Sequence, residues 1–452
     1  MHDLTLGPIT RHIVKLAVPI AVGMLFQTLY FLIDLYFVSG IGDAAIAGVG
    51  AAGNLTFIVM ALTQVLGVGT VTLIAQAVGR KDHDDAQLVF NQSLAIATVC
   101  ALLTLAGGFV FTAPYMRTLG ADAATQAAGI EYLDWYLPGL ALQFAIVAMG
   151  SALRGTGIAK PTMLVQMLTV IINAILAPVL IAGWGTGHAL GVAGAGLAST
   201  ISIAVGVVLL VLYFIRLEKF VAFLPRLWAP QLATWGRILR IGLPAGGEFA
   251  LMFIYLGVIY MVIRDFGSTA QAGFGIGSRV MQAIFLPAIA IAFAASPVAG
   301  QNVGAGLFDR VRATFRSATI IGSVLMIVLT LICQIKPEWF VRGFTQDEAV
   351  VAVAAEFLRY ISWNFVASCI VFTCSGMFQA LGNTVPALMS SASRFFTFAL
   401  PAVWLSRQPG FQLHHVWLVS MASVALQAVF SLWLLRRQFQ QRMHQGAAVA
   451  AA

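Results

Sequence analysis

The 452-residue sequence predicts an all-α, polytopic membrane protein with twelve transmembrane helices in two six-helix lobes, related by a pseudo-twofold axis along the membrane normal. Three observations predict it. Charged residues make up 9% of the chain and hydrophobic ones 60%, whereas a soluble domain carries about a quarter charged residues. Apolar runs recur along the whole chain, each near the roughly 20 residues a spanning helix needs, because lipid tolerates only an internally bonded backbone. The chain also repeats itself: shifted by 225 residues, it shows identities without a gap.

Helices are expected in the first half at about 13–38, 46–78, 92–113, 130–152, 162–183 and 190–215. The second half gives 238–263, 271–301, 318–335, 354–378, 384–406 and 414–436. Gly40 and Gly42 end the first helix; Arg80 and Lys81 follow the second. Pro19, Pro178, Pro244, Pro287 and Pro401 lie inside spans and free backbone carbonyls that neighbouring helices or water must satisfy. The 43 glycines suit close helix packing, and Gly48, Gly79, Gly194, Gly196 and Gly304 read as contact points rather than phosphate ligands.

The repeat pairs Pro19 with Pro244, Gly48 with Gly273, Gln76 with Gln301, Asp122 with Asp347, Gly157 with Gly382 and Pro161 with Pro386. Each copy has an even number of helices, so both enter the membrane from the same side, as in parallel-repeat transporters. The expected division is a first lobe at 1–215, a cytoplasmic linker at 216–237 (Lys219, Pro225, Arg226, Pro230), a second lobe at 238–440 and a disordered Ala-rich tail at 441–452. His2, Asp3 and Thr5 before Pro8 lack a cleavable signal, so the first helix is expected to be retained.

The net charge of +8 suggests no nucleic-acid partner, because the basic residues sit in loops. With the N-terminus inside, 17 Lys and Arg fall in inner segments and 5 in outer loops, with Arg279, Arg359 and Arg394 inside helices. This bias places both termini in the cytoplasm. Cys100, Cys333, Cys369 and Cys374 show neither metal spacing nor a disulfide framework, and no cofactor is expected.

The stretches Pro19 to Asp34, AQAVGRKD (75–82), LRGTGIAKPTM (153–163), GVAGAGLAST (191–200), FGIGSRV (274–280), FLPAIAIAFAASPVAGQNVGAG (285–306) and FQALGNTVP (378–386) together resemble the multidrug and toxic compound extrusion family over nearly the whole chain. The resemblance implies a bacterial inner-membrane exporter of cationic drugs, dyes or metabolites, driven by a proton or sodium gradient through alternating access. Small organic cargo and membrane lipids are the implied partners, a monomer is expected, and no enzyme activity is implied. A lipid-linked or polar-metabolite flippase of the same superfamily is the alternative; an intramembrane enzyme or a channel fits less well.

Ionisable groups at bilayer depth need an account. Asp34, in FLIDLYF, reads as a proton carrier or cation ligand, or else as an interfacial cap before Gly40. Glu248, one turn after Pro244, reads as a second-lobe cation or cargo group, or as half of a local structural pair. In the repeat Asp34 maps onto Ile259 and Glu248 onto Gly23. The two acids therefore differ by eleven residues along the axis, about 16 Å at 1.5 Å per residue, too far to share one ion. Relatives carry an Asn followed four residues later by an Asp; here these positions are Asn173 and Ala177. The missing acid favours protons over sodium. Asn173 is expected either to bond Asp34 or to bridge helices.

Arg279 and Arg394 are expected to neutralise Glu248, reach the interface or meet an anionic group on cargo. Phe26, Tyr30, Met252, Phe253, Tyr255 and Met281 read as cavity lining or as plain packing. Asp134 and Arg359, repeat partners of opposite charge near the outer ends of helices four and ten, read as an outer gate, with an Arg359–Glu356 pair as the simpler alternative.

Overall fold

In the computed structural model, which describes residues 1–120 and 122–451, the chain is all-helical, with no strand among the described residues. The long helices of the first half are α1 (Ile9–Ser39), α2 (Asp43–Gly79), α3 (His83–Leu119), α4 (Ala123–Gly155), α5 (Lys160–Ile181) and α6 (Val192–Arg216). The second half contains α7 (Leu232–Val262), α8 (Ser268–Gly304), α9 (Phe308–Ile335), the short α10 (Glu338–Val341), α11 (Glu348–Ile361), α12 (Phe365–Leu381), α13 (Val385–Ala392), α14 (Leu400–Ser406) and α15 (Leu413–Ala451). The last helix continues through most of the tail expected to be disordered; residue 452 lies outside the described residues.

Among the described residues, eleven helices are long and apolar enough to cross a membrane, with α11 and α12 forming one of them. The twelfth expected span, 384–406, is broken into α13, a π-helical turn at Phe395–Ala399 and α14. Its apolar composition was legible, but the π turn was not.

The repeat proves to encode packing and punctuation. Asp122 caps α4 by accepting a hydrogen bond from the Thr125 amide at 2.8 Å, and its repeat partner Asp347 caps α11 from the Ala349 amide at 3.0 Å. Such caps satisfy amides that the first helical turn leaves unpaired. Gly157 and Gly382 follow the ends of α4 and α12 at φ +84° and +78°, a conformation that favours glycine. A Cβ on Gly48 would lie 2.7 Å from the Thr125 carbonyl, and one on Gly273 would lie 2.5 Å from Val353 Cβ.

The chain forms two compact units. The first comprises Met1–Asp3 and Val18–Gly246, the second Leu4–Ala17 and Gly247–Ala452. In the first unit α4 packs on α2, α3 and α6, and α5 on α6. In the second α8 packs on α9, α11 and α12, and α15 on α11 and α12. These boundaries differ from the expected 1–215, 216–237 and 238–440. α1 changes unit just before Pro19 and α7 just after Pro244, where a proline removes one intrahelical hydrogen bond.

Side-chain amides on α3 bind the expected linker to the first unit. Gln92 Nε2 donates to the carbonyls of Leu227 and Ala229, while Oε1 accepts from the Gln231 amide at 2.9 Å and the Trp235 indole at 2.8 Å. That uses the full capacity of a primary amide. Asn91 similarly holds Ala222, Leu224 and Trp228. In the second unit, Gln301 accepts from the Leu4 amide at 2.9 Å, and Arg310 donates to the carbonyls of Leu4 and Gly7.

Candidate functional site

Asp34 sits near the C-terminal end of α1, 8% exposed, inside the first unit. Its Oδ1 accepts from Asn173 Nδ2 of α5 at 2.9 Å, and its Oδ2 accepts from Ser199 Oγ of α6 at 2.9 Å. Three helices thus converge on one carboxylate. The Tyr30 hydroxyl is buried within electrostatic reach of Asp34, and Tyr132 and Tyr136 of α4 face the same charge. Asn173 Oδ1 is buried without a hydrogen-bond partner among the described residues. Unpaired buried polar atoms are uncommon and call for an explanation.

The site therefore offers one carboxylate, two hydrogen-bond donors already engaged, and one unpaired oxygen, Asn173 Oδ1, near the Tyr30 hydroxyl. Such a set can hold a proton or one small hard cation, since hard cations take oxygen ligands. Ala177 is buried one turn beyond Asn173, so no second carboxylate enters from that position. Among the described residues there is no group of three or more His, Cys, Asp or Glu able to hold a metal ion.

In the second unit, Glu248 of α7 is partly buried and its Oε2 accepts from Ser375 Oγ of α12 at 2.9 Å. Its partner is thus a hydroxyl on a neighbouring helix rather than a second charge. Among the described residues Arg394 pairs with no carboxylate. Its guanidinium lies 5.0 Å from the ring centroids of both Tyr255 and Phe398, and Nε donates to Ser423 Oγ at 3.3 Å. Arg279 is exposed and forms no ion pair among the described residues.

The expected lining residues divide. Phe26 and Tyr30 are partly buried on α1, and Phe253 and Met281 are partly buried on α7 and α8. Met252 is 50% exposed. Tyr255, however, is 3% exposed and belongs to the core, with its hydroxyl bonded to the Ser391 carbonyl; it packs rather than lines. At the expected outer gate, Asp134 is exposed on α4. Arg359 pairs with Glu338 of α10 at 3.4 Å, not with Glu356, because the short α10 helix presents that acid beside α11.

Ser199, Tyr132 and Tyr136 were not singled out from the sequence. Tyr132 and Tyr136 lie one turn apart on α4 with ring centroids 5.2 Å apart. In an α6 apolar on every face, nothing in the sequence says which of Ser199, Thr200 and Ser202 points at Asp34.

The MatE family model matches residues 19–179 and 244–405, once in each half of the chain. A probable multidrug resistance protein of Bacillus subtilis, YpnP, is 24% identical over 450 residues, covering 98% of this chain and 99% of its own. The multidrug export protein MepA of Staphylococcus aureus is 25% identical over 444 residues, covering 95% of each. Among solved structures, a MATE protein crystallised in the bent conformation superposes with a TM-score of 0.92 at 24% identity, over 98% of each chain. A Pyrococcus furiosus transporter of the MOP superfamily, described as having a binding pocket of reverse polarity, superposes at 0.89 with 23% identity, over 97% of each.

Proposed function

The chain belongs to the MatE family of membrane transporters, and we propose that it is a cation-coupled antiporter exporting small, mostly cationic organic molecules by alternating access. It is a transporter rather than an enzyme, as its relatives are named multidrug export and resistance proteins. The observation that carries the coupling is the buried carboxylate of Asp34, held by Asn173 and Ser199 beside the unpaired Asn173 Oδ1. A buried acid at membrane depth is costly unless it is paired, protonated or used.

The proton is favoured over sodium on two grounds. Ala177 removes the second acid that relatives carry nearby, which leaves a thin ligand set for a metal ion. Both Asp34 oxygens already accept hydrogen bonds, and protonation would turn the carboxyl into a donor beside the unsatisfied Asn173 Oδ1. Glu248, bonded to Ser375, is read as acting separately on cargo or cation in the second unit. The protein is placed in the bacterial inner membrane with both termini cytoplasmic, on the distribution of Lys and Arg, and is read as a monomer needing no cofactor. The test is efflux of a cationic dye from proteoliposomes under separately imposed proton and sodium gradients. Efflux driven by the proton gradient supports the reading; efflux driven only by sodium overturns the choice of ion.

A further inference from the structure

We propose that Arg394 is the core of an anion-binding site in the second unit, one that takes the charged oxygen head of an amphiphile such as a carboxylate. The argument starts from unused donors. A guanidinium carries five N–H groups in a fixed fork. Here Nε–H goes to Ser423, and no acceptor engages the other four among the described residues. No acid pairs with Arg394 among the described residues either. Its charge is met by the faces of Tyr255 and Phe398, each 5.0 Å away. Cation–π contact steadies a cation but leaves its in-plane N–H groups free for an oxyanion.

The surroundings are built and polar. Ser420, Ser423, Gln427 and Ser431 recur on one face of α15, all 7% exposed or less, in a segment that is otherwise apolar. Across from them Ser390 bonds Ser431, and Ser391 accepts from Gln427 Nε2 at 3.4 Å. A polar seam between membrane helices is explained by helix association alone when every member is paired. The hydroxyls of Ser423 and Ser431 and the Gln427 amide are paired with the protein, while four of the arginine's five N–H groups have no acceptor among the described residues. The backbone adds a second mark. Arg394 immediately precedes the π turn at Phe395–Ala399, which breaks an otherwise helical span, and single π turns are frequent at functional sites.

The inference rests on reading the chain as an exporter of small organic molecules, but binding is measured without transport, so the two can fail separately. The experiment uses the full-length protein in phosphatidylcholine nanodiscs, with laurate as the probe and dodecanol as its uncharged match. Wild type should bind laurate about tenfold more tightly than dodecanol, the equivalent of roughly 1.4 kcal/mol. Arg394→Gln should lose that preference. Arg394→Lys, which keeps the charge without the fork, should keep about a third of it or more. Nanodiscs containing phosphatidylglycerol identify the source: competition with laurate assigns a lipid headgroup, and its absence assigns free cargo, either result retaining the site. Equal binding of laurate and dodecanol to wild type would overturn the proposal and needs no variant to fold. So would a laurate preference that survives Arg394→Gln.

Discussion

α1 and α7 are repeat partners, each with a proline at the same repeat position and each with a single acid, yet the two acids are set in different company. Asp34 lies fifteen residues beyond Pro19 and is held by two donors from two helices. Glu248 lies four residues beyond Pro244 and is held by one hydroxyl. Asp34's counterpart in the second unit is the buried Ile259, and Glu248's counterpart in the first is the buried Gly23. Capping residues and contact glycines recur in both halves, while the acids of α1 and α7 do not. Packing constraints act on each copy alike, so they preserve the residues that shape helix ends and close contacts. One ion site needs only one copy, which leaves the other free to acquire different chemistry.

The largest effect expected from that contrast is at Asp34. Asp34→Asn should insert and fold, because an amide can keep both hydrogen bonds in altered polarity, but gradient-driven dye efflux should fall to background. Asp34→Asn retaining wild-type efflux in proteoliposomes would remove the difference between the units.

Ala177→Asp sharpens the same point by restoring a second carboxylate one turn from Asn173. Dye efflux under an imposed sodium gradient should rise in this variant relative to wild type. If sodium dependence is unchanged, the missing acid is not what selects the ion.

A smaller and different effect is expected at Glu248. Glu248→Gln keeps the Ser375 hydrogen bond and should shift the apparent affinity or range of cargo while leaving proton-driven transport in place. In a double-mutant cycle with Asp34→Asn, the two sites should be additive within about 0.5 kcal/mol, as distant independent sites are. Strong coupling between them would merge the sites this account separates.

Two structural predictions follow in descending size. Gln92→Ala removes four part-buried hydrogen bonds to residues 227–235, each contributing about 0.5–1.5 kcal/mol, and should lower the thermal transition of the purified protein clearly. Arg359→Ala breaks an exposed pair with Glu338 and should change stability by only about 0–1 kcal/mol. A larger loss for Arg359→Ala than for Gln92→Ala would reverse the ranking.

Much of the fold was legible because membrane burial writes itself in composition and because duplication repeats the punctuation. The expected span the structure interrupts is 384–406, where an apolar run with Pro401 says nothing of a π turn. The unit boundaries were misplaced for a related reason. A polar stretch with two prolines reads as a linker, whereas the amides that fasten it, Asn91 and Gln92, sit more than a hundred residues away. The site was half legible. Asp34 stood out as a lone acid, and Asn173, one of two alternatives open to it, does bond Asp34. Ser199 remained hidden because a hydroxyl in an apolar helix has no sequence signal for the face it occupies. Arg394 was visible as a charge, but Tyr255 of α7 and Ser423 of α15 meet it only in three dimensions.

The coupling role of Asp34 is tested most directly by one paired measurement: dye efflux from proteoliposomes holding wild type or Asp34→Asn, at equal reconstituted amounts, under an imposed proton gradient without sodium. The account predicts rapid efflux for wild type and background efflux for the variant. Equal rates for the two proteins would contradict it.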